Sequence, residues 1–66
     1  MELQPHQQRV VEERNALLEK IAKLEAFIVS NPQFQMLPSL EQSHLNMQNS
    51  IMRLYLNILN LRINNW

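Results

Sequence analysis

Cysteine is missing from the 66 residues, and with it go disulfides and thiolate metal sites. Glycine is missing too, which argues against a fold built on tight hairpin turns with positive φ. Neither sign of charge prevails: six basic residues offset six acidic ones. No basic field is therefore available to hold duplex nucleic acid or an anionic membrane. No apolar run approaches the ~20 residues that cross a bilayer. Met1-Glu2-Leu3-Gln4-Pro5 lacks the basic and apolar regions of a signal peptide, so a cytosolic protein is expected. A chain this short buries only about 60% of its unfolded surface. Without disulfides or a metal, other subunits are the natural source of further stability.

Present instead are fifteen asparagines and glutamines and two long apolar patterns. Val10, Leu17, Ile21, Leu24 and Ile28 form a heptad-like seam, extended backwards by Arg14, Gln7 and Leu3. Val11 and Leu18 flank it, and Glu19 and Lys23 make an i,i+4 pair with the acid first. With Pro5 tolerated in a first turn, the pattern predicts a helix over 5–29. Ser30-Asn31-Pro32 ends it, because Pro32 has no N–H and drives Asn31 out of the α region. The linker, 30–38, is expected to hold a short turn capped by Asn31, with Phe34 and Leu37 folded back as an apolar plug.

A second helix is predicted over 39–66, with Ser39 as N-cap and Gln42 completing a capping box. One of its seams reads His44, Met47, Ile51, Leu54, Ile58, Leu61; another reads Leu45, Met52, Tyr55, Leu59, Trp66, with Leu56 and Ile63 on a further flank. A helix facing one partner needs a single stripe of roughly 100°. This one is wider, and the excess marks an association surface. The fold class expected is all-α: one antiparallel two-helix hairpin domain over 1–66 that assembles into a homo-oligomeric bundle. Ile51, Met52, Leu56, Leu59 and Ile63 are expected between copies.

In a hairpin pivoting near Phe34, opposite residues have numbers summing to about 69, an estimate good to one turn of ~3.6 residues. That sets Ile21 near Met47, Leu17 near Ile51 and Arg14 near Tyr55. It gathers His6, Gln7 and Arg9 with Asn60, Arg62 and Trp66 at the open end.

Catalysis has no foothold in this pattern. There is no glycine-rich phosphate loop, no nucleophile beside a base and no paired-histidine metal motif. His6 and His44 fall at opposite ends of the hairpin, and Glu12 and Glu13 point about 100° apart as solvated face residues. No enzyme, metal or cofactor is expected, and His44 reads as a partly buried, hydrogen-bonded residue. Arg14 occupies a seam position, where a charge must be paired or reach water. Three readings stand: a stem on the core with its head in water, a register-setting partner for Tyr55 or another subunit's glutamate, or a phosphate ligand. His6, Arg9, Arg62 and Trp66 read either as a solvated terminus or as an anion-binding end, with Trp66 or Tyr55 stacking a base.

His6-Gln7-Gln8-Arg9-Val10-Val11-Glu12-Glu13, then Leu17, Ile21, Leu24, Phe27-Ile28, Ser30, Phe34, Leu37-Pro38 and Tyr55, resemble the small helical-hairpin proteins of crAss-like and many other bacteriophages. Gln33, Gln35 and Asn46 stand where the usual member is more acidic. The resemblance implies a phage origin and a location in the cytoplasm of the bacterial host. By analogy of size and architecture, it points to phage sponges that sequester nucleotide immune signals. In that reading His6, Arg9, Arg14, Tyr55, Arg62 and Trp66 bind a small nucleotide. The alternative is a coiled-coil interaction module or an inhibitor of a host protein.

Overall fold

The computed structural model describes residues 2–66; Met1 lies outside the described residues. It is all-helical: α1 spans Pro5–Ser30, α2 Pro32–Met36 and α3 Ser39–Asn64. The two long helices pack antiparallel into a rod of 49 × 16 × 14 Å. Among the described residues, no helix is long and apolar enough to cross a membrane.

Local chemistry sets each boundary. The Gln4 N–H donates to Gln7 Oε1 at 2.9 Å, tying off the start of α1. At the break, Asn31 Oδ1 accepts from the Gln33 N–H at 2.9 Å and so caps α2, as expected. Phe34 is buried and meets Phe27 edge to face at 6.0 Å, so the linker does carry an apolar plug. The start of α3 differs from expectation. Its N-cap is Pro38, with φ −55° and ψ 147°, and Ser39 lies inside the helix without a capping bond. Proline needs no N–H partner and its fixed φ suits a helix entry, so Pro38 takes the capping place and α3 runs from Ser39 to Asn64, two residues short of the predicted end. Gln42 is then free to reach back, donating from Nε2 to the carbonyls of Leu37 at 2.9 Å and Gln35 at 3.4 Å.

The core is small. Val10, Leu17 and Ile21 of α1 bury against Leu59, with Met52, Leu56 and Ile63 of α3 packed around them. Arg14 faces Asn60 and Glu25 faces Asn49, so opposite residues have numbers summing to 74. The register is shifted by five along α3 from the expected value. The cause is α2: its helical turn occupies the connection and moves the pivot from Phe34 to about Leu37.

One edge of the hairpin is polar and cross-linked. Arg14 Nη1 donates to Asn60 Oδ1 at 3.0 Å, Asn49 Nδ2 donates to Glu25 Oε2 at 3.1 Å, and Arg53 pairs with the same Glu25 oxygen. The far side of α3 is bare. Leu40, Met47, Ile51, Leu54, Ile58 and Leu61 keep between 54% and 68% of their surface exposed. Of the two apolar seams of α3, the one through Leu45, Met52 and Leu59 meets α1, and the one through Met47, Ile51 and Leu54 does not.

Candidate functional site

The open end of the hairpin holds a cleft of about 320 Å³ lined by Glu2, Leu3, Gln7, Val11, Ile63 and Trp66. Its walls are apolar apart from the Glu2 carboxylate and the Gln7 amide. Trp66, just beyond the last turn of α3, is about half exposed and offers a ring face. Such a surface suits the flat face of a base or another planar, weakly polar group.

Among the described residues, no cation lines this cleft: Arg9 lies about 160° around α1 from Gln7 and Val11, whereas Arg14, one turn beyond Val11, shares their stripe. In the observed register Arg9 is level with Asn65, and Arg62 lies about one turn further in. Arg9 and Arg62 are exposed, as is His6 one turn before Arg9. Tyr55 shares the stripe of Arg62 seven residues deeper and is 41% exposed. Both lie about 150° around α3 from the cross-linked edge of Asn49 and Asn60. His6, Arg9, Arg62 and Trp66 thus share one end of the hairpin, and Tyr55 lies two turns deeper along α3.

Arg14 is separated from that group. It lies about 140° around α1 from Arg9, and its guanidinium is committed to Asn60 and, through Nε at 2.9 Å, to Asn15. The expected approach of Arg14 to Tyr55 is not made, because the register shift brings Asn60 opposite Arg14 instead. Acids also balance the bases here: Glu2, Glu12 and Glu13 accompany Arg9, Arg14 and Arg62. One protomer therefore offers a ring face and scattered donors, but no net positive field.

The residues expected between copies divide as well. Leu59 is fully buried inside the hairpin, and Met52, Leu56 and Ile63 pack against the same core. Leu59 therefore presents no surface to another copy; Met52, Leu56 and Ile63 are partly buried and Ile51 is the most open of the set. His44, expected to be partly buried, is exposed, with Nδ1 4.0 Å from Glu41. It stands on the free stripe of α3, facing away from α1. Among the described residues, no group of three or more His, Cys, Asp or Glu side chains is placed to hold a metal.

Composition and seams did not point to Glu25, Asn49, Arg53 and Asn60. Arg53 and Asn49 hold the Glu25 carboxyl below its ordinary pKa by hydrogen bonds to the charged form. A signal was present: Asn49 and Asn60 follow Leu45 and Leu56 by one turn, so each borders the stripe that meets α1.

The Sequestin family model matches residues 4–65, nearly the whole hairpin, including the cross-linked edge and, of the cleft, Gln7, Val11 and Ile63 but not Glu2, Leu3 or Trp66. The chain belongs to the Sequestin family. No curated protein and no solved structure matches it. The name Sequestin suggests a sequestering function, a role of binding and retention, and fits the sponge proteins to which the sequence was likened. For a Sequestin built this way, the open end supplies one concave surface, the loop end another of about 550 Å³ lined by Lys23, Phe27, Asn31 and Pro32, and the free face of α3 is a further unassigned feature.

Proposed function

We propose that this Sequestin is a phage anti-defence protein that binds a host nucleotide immune signal, of the cyclic dinucleotide or cyclic ADP-ribose type, and holds it in a homo-oligomer without turning it over. The observation that carries the reading is the match of residues 4–65 to a family named for sequestering. The cleft beside Trp66 supports it with a place for a base, and His6, Arg9 and Arg62, exposed at the same end of the hairpin, are the donors assigned to phosphate. Tyr55 extends the aromatic surface along α3, while Arg14, bonded to Asn60, belongs to the frame of the hairpin. Sequestration acts by mass action in the cytoplasm of the host: each occupied site removes one messenger from the free pool, so abundance and affinity replace catalysis.

Isothermal titration of the purified chain against a panel of cyclic nucleotides tests this. A saturable heat with at least one of them is expected, lost in Arg9→Ala and in Trp66→Ala with the helical content unchanged. Silence across the panel, at concentrations where the chain is fully assembled, overturns it. A second reading, a coiled-coil module or inhibitor that docks on a host protein, draws on the free apolar stripe of α3. A stoichiometric host protein retained on the immobilised chain, with no nucleotide heat, is its signature.

A further inference from the structure

The free stripe of α3 is not merely apolar; its spacing is that of a coiled-coil seam. Ile51 and Ile58 take a positions, with His44 at the a position before them, and Leu40, Met47, Leu54 and Leu61 take d positions, so the seam is apolar without a break from Met47 to Leu61. The centre of this seam lies about 150° around the helix from the face that meets α1, so α1 cannot cover it. At the observed exposures the six side chains offer roughly 600 Å² per protomer, or about 1,200 Å² for two copies, which reaches the range of stable interfaces.

We propose that this face pairs two copies of the chain through α3, antiparallel, about a two-fold axis near Met52 and Arg53. The inference takes up the expectation of self-association in the proposed function and names the surface, the direction and the register. Alignment is set by the seam. Antiparallel copies with residue numbers summing to about 105 place every a residue against a d residue. Ile51 meets the partner's Leu54, and Met47 meets the partner's Ile58. A β-branched side chain thus faces a longer, flexible or γ-branched one in each central layer.

Charge selects the direction. The positions flanking the seam carry one acid and one base, Glu41 near the start of α3 and Arg62 near its end. In the antiparallel register Glu41 comes within about 3 Å, along the axis, of the partner's Arg62, and the two-fold makes the pair twice. The opposite flank sets Ser43 beside the partner's Asn64 and Ser50 beside the partner's Asn57, small and uncharged throughout. A parallel pair forms no ion pair on either flank and stacks His44 on its own copy. The two apolar faces of α3 being nearly opposed, the four long helices lie almost in a row with the α3 pair in the middle. Each open end, with Arg62 and Trp66, then abuts the start of the partner's α3, giving two equivalent junctions.

Sedimentation equilibrium on the intact chain tests the proposal. The expected mass is twice the 7.9 kDa of the chain. Leu54→Asp, on the bare face, is expected to raise the dissociation constant at least about a hundredfold with the helical circular dichroism retained. The direction is read from charge reversal at low salt. Glu41→Arg and Arg62→Glu each raise the dissociation constant about tenfold, and the two together restore it. A wild-type chain that stays monomeric at 100-fold the concentration used for ligand titration overturns the proposal, as it must if the stripe is kept for a foreign protein. An oligomer indifferent to Leu54→Asp, or a double reversal no better than the single ones, overturns it equally. Nucleotide binding separates from it cleanly. A dimer with silent titrations leaves the interface standing and sinks the sponge; a monomer that binds a cyclic nucleotide overturns the interface and the oligomeric part of the proposed function, and leaves the binding part standing.

Discussion

The two long helices have the same length, 26 residues each, and opposite surfaces. Helix α1 carries eight charged side chains and one apolar stripe; α3 carries three charged side chains and two apolar stripes. Water solvates the outer face of α1, which needs nothing further once its seam meets α3. Helix α3 gives one stripe to α1 and leaves the other bare, with serines, asparagines and glutamines between them in place of charge. The difference shows how a small chain divides its work: one helix closes the hairpin and turns a charged face outward, the other both closes it and presents an apolar face.

The contrast within α3 breaks most sharply at Leu59 and Leu61, two residues apart and on opposite sides. Leu59 is 0% exposed and Leu61 is 68% exposed. Leu59→Ala is expected to cost about 3 kcal/mol, as for leucine truncation in a packed core. That is much of the stability a chain of this size has. Leu61→Ala is expected to cost the hairpin less than about 0.5 kcal/mol while weakening association. Urea unfolding followed by circular dichroism, at concentrations below and above assembly, separates the two. Equal losses in both variants would mean that the two stripes of α3 are not distinct.

The same contrast explains what the sequence made legible. The all-helical class followed from seams of helical period and the break at Asn31-Pro32, and the plug from two large apolar residues in a short connection. Which stripe of α3 meets α1 did not follow, because the stripe through Ile51 and Ile58 is as apolar as the one through Met52 and Leu59. Polar neighbours decide it: Asn49 and Asn60 border only the second stripe, where Glu25 and Arg14 wait to bond them. The register followed only to within a turn and a half, since a linker can be extended or can wind into α2 without any change in hydrophobic pattern. The open end was legible as a place, through Trp66 and the clustering of His6, Arg9 and Arg62. The details of its cleft were not, because Glu2, Leu3 and Gln7 enter it through chain-end geometry that carries no period.

A smaller effect sharpens the comparison between Arg9 and Arg14, five residues apart on α1. Arg14→Ala removes a cross-helix bond from a half-buried guanidinium and orphans Asn60, for an expected loss of about 1 kcal/mol. Arg9→Ala, on the exposed side, is expected to leave the melting temperature unchanged and to weaken only the nucleotide binding proposed above. A melting temperature lowered by Arg9→Ala and untouched by Arg14→Ala would reverse the assignment of frame and ligand arginine.

The smallest expected effect distinguishes the cross-linked edge from the other one by pH. Arg53 and Asn49 stabilise the ionised form of Glu25, so its folded-state pKa lies below the ordinary value of 4.5. A depressed carboxylate pKa means that the unfolded chain binds the proton more readily. The stabilisation is complete above the unfolded value and is lost as pH falls from there through the folded value. Glu25→Gln removes the titrating group, so the difference in melting temperature between wild type and variant should be constant near neutrality and shrink below about pH 4.5. Added salt should shrink it too, because the Arg53 side of the pair is open to solvent. Equal acid slopes in wild type and Glu25→Gln would show that the cross-linked edge contributes nothing to holding the helices in register.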